Sequence, residues 1–595
     1  MASMKYKTQW DLTLLYKNEK DPQIEKDMKA IEKACIAFEK KYKGKDFISS
    51  SKKLLQALID RENLSETMNG NKCWWYFALR NRLNSDDSYA GAMATSLDQR
   101  ISNATNKIKF FFLEVSKISA KDQKAYLNDS HLHPFRYSLE RIFNNAKYNL
   151  SEKEEQLAAL LSQTSYDMWV DGQLRVLSQE TIVHANKTIP LSKAMSVLGD
   201  EPKKTRQILH EKINGALKRN ASFAGAEINA VYNFKKIMDE RRGYKKSYTE
   251  TVLGYENDEK TIEDLVAVVT KYFTLSQRFY SLHARLLDQK KITMADRSVK
   301  IGEIKKKFDF ENSVLLVKNA FTKVDKKYAD YLDEYLVNGQ IDVYPVKGKD
   351  SGAFCWGVDL LPTFILLNHT DNVRSVETLA HEMGHAIHTE FSKKQPPRYR
   401  HYSTATAEVA STFFEQLAID DLMNELPESE RTILLHNKIM GDISTVFRQI
   451  ACFNFEKDLH EKIRAQGQVD KDEIAKLLQK HLQSYTGKSM EVTQDDGYFY
   501  VTWSHIRRFF YVYSYAYGQI ISRALYEKWK ADPMYAKKIE QFLRAGRSMS
   551  PKDIFKSIGI NTNAAFFEAG LKGIEADIDK LEKLSKNLLK NKKNK

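Results

Sequence analysis

The chain has 595 residues, of which 42% are apolar, and Lys plus Arg exceed Asp plus Glu by 15. That length exceeds what one hydrophobic core organises, so two or more subdomains are expected, and the apolar share excludes wholesale disorder. The basic residues are interleaved with acidic ones except in the dense run Lys583–Lys595, so the charge reads as a lysine-rich solvated surface and no nucleic-acid partner is expected. Only 24 glycines and 11 prolines are present, which disfavours turn-rich β architectures and favours long helices. The four cysteines are scattered without CxxC spacing, arguing against a disulfide framework or a cysteine-based metal knuckle. With no signal-like apolar start and no run of about 18 apolar residues, a cytoplasmic location with no membrane partner is expected.

In chain order, the first 200 or so residues read as successive amphipathic helices: Asp21–Tyr42, with Asp21 as cap and Pro22 at the first helical position, then Ser51–Arg61, Ala90–Ile118 and Glu152–Ser165. Residues 1–200 are assigned to one helical lobe and 201–595 to a second. Gln179–Pro190 is richer in β-branched residues and predicts a small hairpin. Helical patterns return over Pro202–Met238, ending at Arg241-Arg242-Gly243, and over Thr261–Asp288 and Asn312–Val337. Between about 340 and 368 the composition shifts to β-branched and aromatic residues punctuated by Gly and Pro. A small sheet is expected there, with strands near Gly352–Trp356 and Thr363–Leu367. The fold class is mainly α, with that sheet just before the chemistry.

The chemistry begins at His381-Glu382-Met383-Gly384-His385, an HExxH pattern on a helix expected over about 372–391. Residues four apart lie one turn above each other, so two imidazoles can converge on one ion. Glu382 neighbours the first ligand and can reach water instead of the metal. Asp371 or Asn372 can cap the helix, Val376, Leu379, Ala380, Met383 and Ile387 form its apolar face, and Pro396-Pro397 stop it. Five of the 14 histidines fall between His369 and His401. Zinc held by two histidines needs a third protein ligand, for which His388 and Glu408 compete. Histidines at i, i+4 and i+7 span about 10 Å of helical rise, too far to meet one ion, so Glu408, on the next helix, is the better candidate. Glu415, two turns beyond on the same face, can hold a ligand imidazole through its other nitrogen.

In these motifs the sequence resembles the oligoendopeptidase F family, relatives of the thimet-oligopeptidase type of zinc peptidase. The carriers are LAHEMGHAIH at Leu379–His388, AEVASTFFE at Ala407–Glu415, the opening WDLTLLY at Trp10–Tyr16 and FLRAGRSMSP at Phe542–Pro551, where Arg547 stands at an expected glycine. The resemblance implies a multi-helical, two-lobed peptidase enclosing a deep channel, with one Zn2+ ion held by His381, His385 and Glu408. It implies endopeptidase action on short unstructured oligopeptides. It also implies that His505 and tyrosines of the aromatic segment Asp495–Gly518 stabilise the oxyanion, with Tyr511 and Tyr515 favoured and Tyr513 close behind. An edge strand at Gly352–Cys355 that pairs with substrate backbone is a further implication. Gly487 and Gly497 read as points where the neighbouring loop can move. Two rivals stand beside this reading: a zinc exopeptidase on a similar scaffold, and a non-catalytic peptide-binding protein stapled by zinc.

Overall fold

The structure is a computed structural model describing residues 6–593, with side chains described as far as Lys586. The remainder of the basic run Lys583–Lys595 lies outside the described side chains. The fold is mainly α, 73% helical with a few small sheets. Among the described residues, no helix is long and apolar enough to cross a membrane. The chain divides into two compact units, and neither is continuous in sequence. One comprises the described residues up to Glu152, Lys306–Asn424 and Leu525–Ile558; the other comprises Lys153–Lys305, Glu425–Ala524 and the described residues from Gly559 onward.

In the first unit, Pro22–Tyr42 is helical, with Asp21 accepting from the Gln23 amide at 2.9 Å. One helix predicted over Ala90–Ile118 is two, Ser88–Asn106 and Phe110–Ser116. The break lets Phe111 stack on Phe47 at 5.1 Å and meet Phe38 edge-on, burial that outweighs the local helical preference of the intervening residues. The small sheet has Phe364–Leu366 at its centre, parallel to Ile341–Asp342 and antiparallel to Phe354–Trp356, which forms an edge. The opening segment is tied to this sheet: Trp10 donates its indole N–H to Ile365 O at 2.7 Å and its backbone N–H to the Asp342 carboxylate at 3.2 Å. Near the C-terminal signature, the left-handed residue is Gly546, where a Cβ would lie 2.1 Å from Tyr399 O. Arg547 itself donates its amide to that carbonyl.

The second unit is organised around the 40-residue helix Lys203–Arg242, ended by Gly243 at φ +79°. The predicted hairpin is present as Thr181–His184 paired with Lys187–Pro190. Ala185 and Asn186 both lie in the left-handed region, as a tight two-residue turn requires. Gly497 marks a close approach: a Cβ there would sit 2.0 Å from Ala475 O, which accounts for the glycine without invoking motion.

Candidate active site

The HExxH helix runs Val373–Ser392 and is capped by Asn372, whose side chain accepts from the Ser375 amide at 3.0 Å. Val376, Leu379, Ala380, Met383 and Ile387 are fully buried and fix which face turns inward. The following helix, Thr404–Glu425, crosses it closely at Gly384, where a Cβ would stand 2.6 Å from Ser411 Cα and 3.1 Å from Ala410 O. This approach brings Glu408 to the histidines. Glu408 Oε2 lies 3.5 Å from His381 Nε2 and 3.9 Å from His385 Nε2. One ligand atom from each of the three residues falls within 4.8 Å of the others, a group able to hold a metal ion. Ser411 donates to Glu408 Oε2 at 3.2 Å. We expect Gly384→Ala to overpack this crossing, costing about 1–3 kcal/mol of stability and weakening metal binding. Thermal melts and metal titration check it, and unchanged values of both would show that the crossing does not position Glu408.

The contact expected of Glu415 is present: its Oε2 lies 2.8 Å from His381 Nδ1, so that nitrogen carries the hydrogen and Nε2 is left facing Glu408. Burial disfavours the His381 imidazolium, yet the Glu415 hydrogen bond and charge, with Glu382 and Glu408, outweigh it and hold the group at about 9. An incoming cation must therefore displace a proton at neutral pH. Glu382, 7% exposed, is pushed up to about 7 by burial and by Glu408 and Glu415, against the pull of His381 and of the Cys355 backbone on the edge strand. Burial beside Glu415 likewise lifts Glu377, one turn before His381, to about 7. His388 does not join the group: it is buried flat against Tyr402, with ring centroids 3.8 Å apart, and its Nδ1 has no hydrogen-bond partner.

His505, Tyr511 and Tyr515 lie in the second unit and form a cluster of their own. The Tyr511 and Tyr515 hydroxyls are 3.3 Å apart, and the His505 ring stacks near Tyr515 at 5.9 Å and meets Tyr511 at 5.4 Å. Tyr511 precedes the helix Tyr513–Ala531, whereas Tyr515 lies in its first turn. Tyr513 is fully buried and its oxygen accepts from Asn257 at 3.0 Å, and Tyr517 is also fully buried. Burial, then Arg448 and Arg508, lower His505 to about 4, leaving a neutral imidazole at pH 7. Burial and Tyr515 raise Tyr511, keeping it a neutral donor.

The family model for peptidase family M3 matches residues 253–572, and that for oligopeptidase F matches residues 114–172. The chain belongs to peptidase family M3. It lies in the oligoendopeptidase F branch and is a metallopeptidase. It is 25% identical to oligopeptidase PepF of Bacillus subtilis, covering 98% of this chain and 88% of that one. It is equally similar, at 25%, to an oligoendopeptidase F homologue of Borreliella burgdorferi over 97% of this chain and 98% of its relative. Its fold matches that of oligoendopeptidase F from Enterococcus faecium with a TM-score of 0.70 at 19% identity, over 95% of this chain and 98% of the other.

What the sequence of this M3 peptidase did not signal is how the His505 loop is held. Arg507 pairs with Glu227 through two bonds of 2.9 and 2.7 Å and also donates to the carbonyls of Tyr500 and Trp503. Tyr232 donates to Ile506 O at 3.0 Å and Thr251 to Phe509 O at 2.8 Å. Phe509 and Phe510 both take positive φ, a costly conformation for aromatic residues, and the Phe510 amide is held by Glu456 at 2.5 Å. These partners are distant in sequence and, singly, indistinguishable from surface charges.

Proposed function

We propose that the chain is a zinc-dependent endopeptidase that hydrolyses internal bonds of short, unstructured oligopeptides. The single observation that carries this reading is the convergence of His381, His385 and Glu408, two imidazole nitrogens and a carboxylate oxygen, with Glu382 alongside. That donor set suits one Zn2+ ion with three protein ligands and leaves a fourth position for water, whereas a structural site uses four protein ligands. Bound there, zinc supplies Lewis-acid activation of water and polarisation of the scissile carbonyl. Glu382 takes the proton from the attacking water and returns it to the departing amine. Its carboxyl, nearly buried and one residue from the ligand His381, is held where it can make both transfers. His505, Tyr511 and Tyr515 act as neutral donors to the developing oxyanion, each such bond contributing about 3–4 kcal/mol. The relatives, named oligopeptidase and oligoendopeptidase, support the substrate class.

Internally quenched peptides blocked at both ends test the reading. We expect internal cleavage, located by mass spectrometry, that a chelator abolishes and added zinc restores while circular dichroism shows the helices intact. An exopeptidase would leave these peptides whole, and a protein stapled by zinc would unfold on chelation.

A further inference from the structure

Within the second unit, several inward-lying arginines have carboxylate partners: Arg206 pairs with Asp296, Arg507 with Glu227, and Arg523 with Asp442 and Asp577. Arg448 breaks the pattern. It follows the π-helical turn Ile443–Phe447 and lays its guanidinium over Trp503, at 4.6 Å from the ring centroid, and near Phe499, at 5.4 Å. Its Nε is buried without a hydrogen-bond partner, and among the described residues no carboxylate lies within ion-pair distance of it. The Tyr485 hydroxyl, close enough to interact with Arg448, is also buried without a partner. Burial and then neighbouring Arg297 lower Arg448 only to about 10, so it stays charged at neutral pH. Arg448 is half-buried with its Nε shut off from water, and a guanidinium resting on aromatic faces with no carboxylate beside it leaves a place for an anion.

We propose that Arg448 is a carboxylate-binding residue that selects peptides carrying a free carboxylate near the scissile bond. The claim rests on the peptidase reading above and on the role given there to His505. A guanidinium stacked on an aromatic ring presents its planar fork edge-on, the geometry that accepts a carboxylate through two hydrogen bonds. Trp503, which carries Arg448, also neighbours His505, with ring centroids 6.1 Å apart. The anion site is thus on the order of 10 Å from His505, the reach of about three extended residues. The carboxylate has two sources, the C-terminus of a short peptide or an Asp or Glu side chain.

The test uses paired peptides: free acid against amide at the C-terminus, and Glu against Gln at each of three positions on either side of the cleaved bond. In wild-type protein one pair should differ in kcat/KM by at least about tenfold in favour of the carboxylate, as a charge-assisted hydrogen bond implies. The difference should lie in KM. Arg448→Met, which keeps an apolar stem over Trp503, should shrink that ratio to within about twofold, and Arg448→Lys should fall between. The pair that responds identifies the source. Equal rates for every pair, or a preference that survives Arg448→Met, would overturn the proposal, as would stimulation by chloride with no preference among the peptides. Should Arg448→Met fail to fold, calorimetric binding of the same pairs to metal-free wild-type protein decides: equal affinities refute the site, and tighter binding of the acid upholds it. Absence of all cleavage in wild-type protein would instead defeat the peptidase reading, so the two failures are distinct.

Discussion

Glu382→Gln should load its metal normally yet hydrolyse peptides about 10²–10⁴-fold more slowly, the usual worth of a positioned acid-base group. The two halves of this expectation come from different features. Glu382 is not one of the three residues whose ligand atoms converge, so metal affinity should be nearly untouched. Gln is isosteric and fills the same nearly buried place, so the local geometry should hold. What is lost is the ability to take up and release a proton. Metal analysis and kcat on an end-blocked peptide give the result, and a fully loaded variant turning over at a near-wild-type rate would remove Glu382 from the mechanism.

Glu408→Ala should do the reverse, losing the metal and activity together. Glu408 is the only carboxylate in the group and the only member from the second helix. Without it, two imidazoles on one helix remain, an incomplete set for a zinc site. We expect metal affinity to fall by more than 100-fold. Glu415→Gln, which removes only the partner of His381 Nδ1, should fall in the 10–100-fold range typical of losing such a support. Competition with a chelator of known affinity ranks the two. A Glu408→Ala protein that keeps one equivalent of metal after dialysis would show that another residue completes the site.

Much of the HExxH helix was legible because its signals are local: a capping Asn372, an apolar stripe of period 3.6, and prolines soon after its end. The preference for Glu408 over His388 needed only the rise of a helix; His388 is stacked on Tyr402. The strands near 352–356 and 363–367 were readable from β-branched and aromatic residues, and they fall at Phe354–Trp356 and Phe364–Leu366. Features made by distant partners were not. Tyr511 falls just outside the helix that begins at Tyr513, because the left-handed Phe509 and Phe510 are held by Glu456 and Thr251, tertiary contacts that no window of sequence contains. The units were opaque for the same reason. Each is assembled from three stretches of chain, and a composition shift can mark a boundary only where the chain crosses it once.

The absent side chain at position 384 has a consequence for transplanting this chemistry. The spacing of the two histidines is portable to any helix, but the depth at which a carboxylate arrives from a neighbouring rod is set here by a missing methyl group. A host scaffold given the pentapeptide without a notch facing Ser411 and Ala410 would hold its third donor back by the width of that methyl. Bond lengths to zinc of about 2 Å leave little slack for such an offset, so the graft would bind cations through two rings and water alone.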